Sequence, residues 1–569
     1  MTALAHQHKP SVLLTTVCRP FGGAGEGDSV GAELFHPQVT RNQGIFSYRQ
    51  IIRCWAIDYI AHNINAPTVV LHYPSQDEFI QEIEEASFSY IGINFVVATF
   101  HKVRPMVALI RKHSPRSKIV LGGYGTVLPD EVLSPFSDFI CREEGITFMR
   151  RLLGENGDRP IGHPYAPIES PRVYSLPQKT KVAHITGGLG CPNGCDFCCT
   201  SHFFKRKYIP FVKSGKELYE VMASMEEQAA KAGDELSGFI FIDEDFFIHT
   251  RRAREFLECV RKGKRSFSIM GFGSIRGLSQ FTAEEIAEMG FDLIWTAFES
   301  STAGYQKLRG RNPAELLDDL KAVGVAVLSS MIIGFPDQQR DLILEEARQF
   351  RALGPCLWQI LIYFAFPGTP LFEKVLSEGR YRPEYRKNPD YRTFDGFSMH
   401  FTHDHFKPHE LEALQQELYR ENFRRLGPSL VRIIETWFEG AGKLWSSTNP
   451  LLSERAERML AYVKKAMPGL YPAIILGPNR KQRSRARRLL RKIERRTGRM
   501  TKAERLLGWA AVALAMWTWL AERLSIGQQP KLLRLEHRWK AHTSPEVVWR
   551  EPCSIGVPMG HTGLIRTDP

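Results

Sequence analysis

Three cysteines stand within eight residues, Cys191, Cys195 and Cys198, in the segment HITGGLGCPNGCDFCCTSHFF. Their C-x3-C-x2-C spacing follows directly on an apolar run that reads as a strand. Thiolates are soft ligands, and a compact loop lets three of them face one iron–sulfur cube. Three ligands for four irons leave one iron open to chelate something else. A structural zinc site takes four ligands, with Cys199 offered as the fourth. Adjacent cysteines point in different directions, so Cys198 and Cys199 make an awkward pair on one ion. Buried or incidental cysteines are the third reading.

The loop must be held by elements that the surrounding pattern supplies. Apolar runs suited to strands recur at 182–186, 238–242, 266–272, 293–298, 326–333 and 358–364, with helical spacing between them. Six βα units of this kind predict a full or partial barrel whose strand C-termini carry the site. Carboxylates stand at two of those ends: Asp243, Glu244 and Asp245 in FIFIDEDFF, and Glu299 beside Ser300 in IWTAFESS. Taken singly, each is equally well a solvated or helix-capping acid.

The first 150 residues form a separate α/β series. Strands are expected at 11–17, 67–72, 90–97, 118–121 and 139–141, and helices at 46–64, 76–86 and 102–113. This pattern predicts a doubly wound, Rossmann-like domain with a ligand crevice at the strand C-termini, near Val97, Thr99, Gly122, Gly123 and Tyr124. Residues 151–177 have a proline-rich linker composition, with Pro160, Pro164, Pro167, Pro171 and Pro177. The domain reading is therefore 1–150, a linker 151–177, a barrel 178–400 and a helical region 401–569.

At the cysteine loop the chain resembles the radical S-adenosylmethionine superfamily, over roughly residues 178–400. That resemblance implies that Cys191, Cys195 and Cys198 hold a [4Fe–4S] cluster, with an aromatic, Phe197, before the third cysteine. It implies that the open iron binds S-adenosylmethionine, which one electron cleaves to a 5′-deoxyadenosyl radical. It also implies S-adenosylmethionine contacts from Asp243, Glu244, Asp245, Glu299 and Ser300, from Ile333, Gly334 and Pro336 in MIIGFPDQ, and from Tyr363 and Pro367 in YFAFPGTPL. Residues 8–150 resemble the cobalamin-binding domain fused before such barrels, through IGINFVVATF, KIVLGGYGTVLPDE and DFICREEGI. Cobalamin is implied at Val97, Thr99, Gly122, Gly123 and Tyr124. The D-x-H-x-x-G motif that carries a lower cobalt ligand is absent from the sequence, and the Pro20–Gly44 stretch reads as an insertion where the corrin would lie. A fold retained as a scaffold is the other reading. Taken together, these features point to an enzyme that methylates an unactivated carbon of a small or lipid-like substrate, served by an electron donor of flavodoxin or ferredoxin type. Radical carbon–carbon bond formation, rearrangement or oxidation is the alternative. A non-enzymatic redox or assembly protein is the reading from a different class.

Composition bounds these readings. The chain has 569 residues, 43% apolar and 24% charged, which excludes collagen-like and multi-span membrane classes. Ten cysteines are too few for a disulfide scaffold, and the first residues lack a signal-peptide core, so a cytoplasmic location is expected. The net charge of +13 is concentrated. Between Arg480 and Arg505 stand thirteen Lys/Arg against Glu494 and Glu504, a local +11. The uncharged stretch from Leu506 to Ala521 follows at once, with Trp509, Trp517 and Trp519. A basic helix beside a Trp-rich apolar one suits the surface of an anionic membrane through 480–521. A buried terminal helix is the rival. Nucleic acid is disfavoured because the basic run lacks interleaved aromatics. His403, His405 and His409 stand close enough to suggest a metal site, against the plainer reading of a solvated helix start.

Overall fold

The computed structural model describes residues 11–21, 38–50, 52–174, 179–385, 389–524, 529–538 and 546–549. Five parallel strands, Val12–Thr16, Thr68–His72, Tyr90–Asn94, Lys118–Gly122 and Phe139–Ile140, form the core of the first sheet. In chain order they lie 2-1-3-4-5. This order reverses direction between the first and third strands, where a crevice opens at the C-terminal edge. Val12, Leu13 and Leu14 are all buried, as a strand covered on both faces requires. Helix Gln76–Glu85 begins with a reciprocal capping box between Ser75 and Glu78.

Two expectations for this region are corrected. The helix expected over 46–64 is confined to Trp55–Asn63. Upstream, Arg49 pairs through its backbone with Arg172, and the Gln50 amide donates to the Glu169 carbonyl at 2.9 Å, so the segment runs extended across the linker. Of the insertion expected over the crevice, Phe21 does line the cleft, but the described part from residue 38 onward goes elsewhere. Val39 packs on Ala326, Leu328 and Leu357 of the second sheet, and the Gln359 amide donates to Gln38 Oε1 at 2.9 Å. Residues 22–37 of that stretch lie outside the described residues.

The second sheet contains six parallel strands in sequential order: Lys181–Ile185, Leu236–Phe241, Ile269–Phe272, Phe291–Glu299, Ala326–Ile333 and Leu357–Ile362. Ile168–Glu169 adds an antiparallel edge, and the sheet is an open half-barrel. Strand period places Ala326, Leu328 and Ser330 on one face, where Trp295 Nε1 donates to Ser330 Oγ at 2.6 Å and residues 38–39 fill the concavity.

Beyond the barrel run helices Glu410–Leu426, Ser429–Leu444, Pro450–Ala466, Leu470–Leu476, Arg480–Thr497 and Lys502–Arg523. The tail is not helical throughout. Leu533–Arg538 pairs antiparallel with Thr68–His72, Leu535 opposite Val70, and Glu546–Trp549 pairs with it in turn. An Arg534–Glu82 ion pair at 2.6 Å fixes the added strand to the first domain. The fold class is thus α/β with a Rossmann-like sheet, a half-barrel and a helical C-terminal region.

Candidate functional site

The cysteine loop leaves the first barrel strand through Gly190 and Gly194, both at positive φ. A Cβ at Gly190 would stand 2.2 Å from the Lys207 carbonyl oxygen, so only glycine fits there. Ser201 clamps the turn: its hydroxyl donates to the Cys191 carbonyl at 2.7 Å and accepts from the Gly194 amide at 3.0 Å. Cys198 N–H donates to the Cys195 carbonyl at 3.0 Å, closing the second turn. Burial raises all three thiols, Cys195 to about 11 and Cys198 to about 12. A metal centre would supply the positive charge that such thiols need to ionise. Zinc is poorly served, because 2.3 Å bonds require sulfurs roughly 4 Å apart. Among the described residues no three His, Cys, Asp or Glu side chains converge around one ion. The donor set, three thiols on one clamped loop, suits an iron–sulfur cluster.

Around the loop the structure brings together some of the expected residues. Glu299 ends its strand at a bulge with φ +56, which turns its carboxylate back over the loop. One oxygen is ion-paired with Lys307, while Oε2 is buried without a hydrogen-bond partner among the described residues. Such an orphan costs of order 1–3 kcal/mol or more unless a ligand satisfies it. Lys307 lies 5.5 Å from the centre of the Phe197 ring. Tyr363 and Tyr305 each donate to Asp196, at 2.6 Å, and both pack edge-on against Phe197, at 5.9 and 5.5 Å. Asp245 is buried, accepts from the Ser274 amide at 3.2 Å, and meets Asn193, whose amide also donates to Cys191 Sγ at 3.3 Å.

Others are committed elsewhere. Asp243 is buried in an ion pair with Arg252 at 2.5 Å and accepts from the Tyr208 hydroxyl at 2.6 Å. The Ser300 hydroxyl donates to Glu346 at 2.6 Å and accepts from Gln338 at 3.1 Å. Gln338 also accepts from the Gly334 amide at 2.6 Å. Gly334, at φ +88, packs beneath Leu411 and Met399. By strand period Ile333 falls on the face opposite Ser330, off the concave side. Sequence reasoning missed Asp196, Tyr305, Lys307 and Asn193. Only Asp196 and Asn193 carried a signal, since they sit inside the cysteine motif.

Glu244 faces the other way, into a cleft between the two sheets. It is exposed to that space yet walled by protein; burial, and secondarily the Asp243 charge, push its carboxyl up to about 7 against the Thr200 hydroxyl. The cleft has a volume of about 450 Å³ and is lined mainly by apolar groups. The first domain contributes Thr99, Gly122, Gly123 and Tyr124 at the expected strand ends, and the barrel contributes Leu189, Phe203, Phe204, Ile242 and Glu244. Val97, expected there, is instead buried beneath the wall, which is formed by Val96. A Cβ on Gly122 would meet nothing within 4 Å, so this glycine leaves room for a ligand; one on Gly123 would lie 2.6 Å from the Phe95 carbonyl oxygen. No histidine is among the lining residues described. Tyr124 rests edge-on against Phe203 at 5.2 Å, which joins the cleft to the helix that follows the cysteine loop. The His403–His409 group is no metal centre: His403 uses one ring nitrogen on the Phe335 carbonyl and the other on the His405 amide, at 3.0 and 3.1 Å.

A clamped three-cysteine loop on a half-barrel, facing a Rossmann-like domain across a large apolar cleft, defines a class, and comparison with known proteins agrees. No protein-family model matches the chain. It is 22% identical over 324 residues to an uncharacterised methyltransferase of Pyrococcus horikoshii, covering 50% of this chain and 69% of that one. It is 21% identical over 347 residues to the anaerobic magnesium-protoporphyrin IX monomethyl ester cyclase of Rubrivivax gelatinosus, covering 53% of this chain and 61% of that one. It is 24% identical over 273 residues to bacteriochlorophyllide d C-12(1)-methyltransferase of Chlorobaculum tepidum, covering 46% of this chain and 53% of that one. The fold matches the radical S-adenosylmethionine methyltransferase TsrM of Kitasatospora setae with a TM-score of 0.52 at 13% identity, over 80% of this chain and all of that one. The chain is thus similar in sequence to these methyltransferases and to the cyclase, and in fold to a radical S-adenosylmethionine methyltransferase. Its relatives mark it as an enzyme, and the likeness to radical S-adenosylmethionine enzymes implies S-adenosylmethionine and a [4Fe–4S] cluster.

Proposed function

We propose that this enzyme is a cobalamin-dependent radical methyltransferase acting on an unactivated carbon of a small molecule. The observation that carries the reading is the shared cleft: the first domain's Gly122, Gly123 and Tyr124 and the barrel's Glu244, Phe203 and Ile242 line one space. That space reaches the helix beginning at Cys199, directly after the third cysteine. When bound, the cluster and S-adenosylmethionine supply the radical, and cobalamin in the cleft the methyl group.

The protein's own part is to hold and screen. Cys191, Cys195 and Cys198 are the proposed cluster ligands. Phe197, Asp245, Glu299 and Tyr363 are the proposed S-adenosylmethionine residues, with Lys307 orienting Glu299. The unpartnered Glu299 Oε2 suits an ammonium group. Thr99, Gly122, Gly123 and Tyr124 are the proposed cobalamin wall. The apolar walls exclude water from the reacting carbon. Glu244, with its carboxyl pushed up to about 7, stands where it can hold a proton at Oε near a substrate between the two cofactors. The electron arrives from a small redox protein of flavodoxin or ferredoxin type.

Anaerobic reconstitution with iron, sulfide and hydroxocobalamin tests this. The wild-type chain is expected to show the broad visible cubane absorbance and bound cobalt. Replacing Cys191, Cys195 and Cys198 together by Ala is expected to abolish the cubane signal, while Cys199→Ala retains it. Formation of both 5′-deoxyadenosine and S-adenosylhomocysteine identifies a methylase; 5′-deoxyadenosine without S-adenosylhomocysteine overturns methylation in favour of another radical reaction.

A further inference from the structure

Helix Lys502–Arg523 is built inside out. The residues it turns to the body of the protein are small or short: Gly508, Ala511, Val512, Ala515 and Thr518 are buried. Its large apolar residues face outward instead: Leu506 is 71% exposed, Trp509 58% and Trp517 54%, with Leu507, Met516, Trp519 and Leu520 beside them. The orientation is locked, because the Tyr471 ring sits against Gly508, where a Cβ would approach it to 2.8 Å, and also packs edge-on against Trp509. Rolling the helix to bury the tryptophans would lose that fit. A contiguous apolar surface of this kind marks a site that something covers.

The neighbouring helix says what covers it. Arg480–Thr497 buries Gln482, Ala486, Leu489 and Ile493, and both helices pack on Leu470–Leu476. Of the thirteen Lys/Arg between Arg480 and Arg505, twelve are exposed; the other, Arg485, is paired with Glu435. Arg496 lies 5.4 Å from the ring centre of Trp445, itself half exposed. A second copy of the chain would bring two such +11 segments together, and repulsion opposes that pairing. A nucleic acid would be met by bases at one helix and by aliphatic-rich surface at the next. An acidic lipid surface satisfies both, since its headgroups neutralise the arginines while its acyl boundary takes the tryptophans and leucines. Among the described residues no helix is long and apolar enough to cross a membrane, so docking of this face would be interfacial.

We propose that the helices Arg480–Thr497 and Lys502–Arg523 dock this enzyme on an anionic membrane surface, the first by its exposed arginines and the second by its outward tryptophan face. The substitutions that test it lie on exposed positions: Trp509→Ser with Trp517→Ser and Trp519→Ser, and separately Arg487→Gln, Arg488→Gln, Arg491→Gln and Arg495→Gln. Full-length protein is floated with vesicles of phosphatidylcholine, or of phosphatidylcholine with about 30% phosphatidylglycerol. The wild-type chain is expected to bind the acidic vesicles at least about tenfold more tightly than the neutral ones, with a blue shift of tryptophan emission. The preference should fade at 1 M salt, where the Debye length is about 3 Å, while residual binding persists. The arginine variant is expected to lose the acidic preference and the tryptophan variant the residual binding, with circular dichroism confirming that both fold. Wild-type protein that stays unbound with acidic vesicles, or a tryptophan variant that binds as the wild type does, overturns the proposal. So does a wild-type dimer in sedimentation equilibrium that the tryptophan variant splits, because the face is then a contact between copies.

Discussion

Replacing Asp243 by Asn distinguishes a structural acid from a ligand. Asp243 and Arg252 are about 3% and 5% exposed, and the carboxylate accepts from both Arg252 and Tyr208. Asn keeps the shape and one acceptor but leaves the guanidinium buried without its counter-charge. Breaking a buried pair from one side costs about 3–5 kcal/mol. Because Arg252 retains the Tyr208 hydroxyl and the Gly187 carbonyl, the lower end is expected, about 3 kcal/mol. For a unit the size of the barrel that is roughly 6–12 °C in the melting midpoint. The triple substitution Asp243→Leu, Arg252→Met and Tyr208→Phe removes both charges and the hydroxyl together. It is expected to recover to within about 1 kcal/mol of the wild type, since apolar replacement of a buried pair is often neutral. Differential scanning calorimetry under anaerobic conditions measures the midpoints, and equilibrium binding of S-adenosylmethionine to the reconstituted triple variant is expected to match the wild type. An Asp243→Asn protein that melts normally and loses S-adenosylmethionine would refute the structural assignment.

Glu299→Gln is expected to weaken S-adenosylmethionine binding by about tenfold or more, the loss of a charged hydrogen bond of about 1.5–3 kcal/mol, with the cluster absorbance unchanged. Gly122→Leu projects into open space and is expected to lower cobalt content at an unchanged melting midpoint. Gly125→Ala, whose Cβ would stand 2.2 Å from the buried Phe95 ring, is expected instead to destabilise by about 1–3 kcal/mol, read from its melting curve. His400 is fully buried, stacked 4.2 Å from Phe394, and burial pushes its pKa down to about 3. The native ring stays neutral while the unfolded one protonates, so its share of stability is full above pH ~6.5 and falls as the pH drops toward 3. His400→Phe is expected to flatten the fall in melting midpoint between pH 7.5 and 5 by the equivalent of about 2 kcal/mol; an unchanged slope contradicts a neutral buried ring.

The parallel strands were legible because a strand covered on both faces is dominated by apolar residues. Val12–Thr16 and Ala326–Ile333 carry that signal without help from distant residues. The cysteine loop was legible because its three cysteines are local in sequence. What the sequence did not reveal depended on partners far along the chain. Asp243, Glu244 and Asp245 are indistinguishable as a sequence, yet one meets Arg252, one faces the cleft and one meets Asn193. Ser300 is bonded to Gln338 and Glu346, which no spacing rule connects with it. Residues 46–54 have helical spacing, but the pairing of Arg49 with Arg172 overrides that weak preference. The strand Leu533–Arg538 mixes charge with leucine because it caps an edge; sequence periodicity gave no reason to assign it to a sheet begun more than 450 residues earlier.

That returning strand changes how the chain is assembled during synthesis. Until residue 538 has emerged from the ribosome, Thr68–His72 offers a bare row of backbone donors and acceptors, the kind of edge on which other chains add. At roughly 5–20 residues per second, the barrel and its helices occupy the interval between making the edge and covering it. The first domain therefore reaches its finished outline last, although it is translated first. Buried Arg53, Asp58 and His72, which line or adjoin the cleft, complete their surroundings only when His537 closes over them. Shortening the tail would consequently be felt at the opposite end of the sequence, as a nascent first domain open to chaperones and to aggregation.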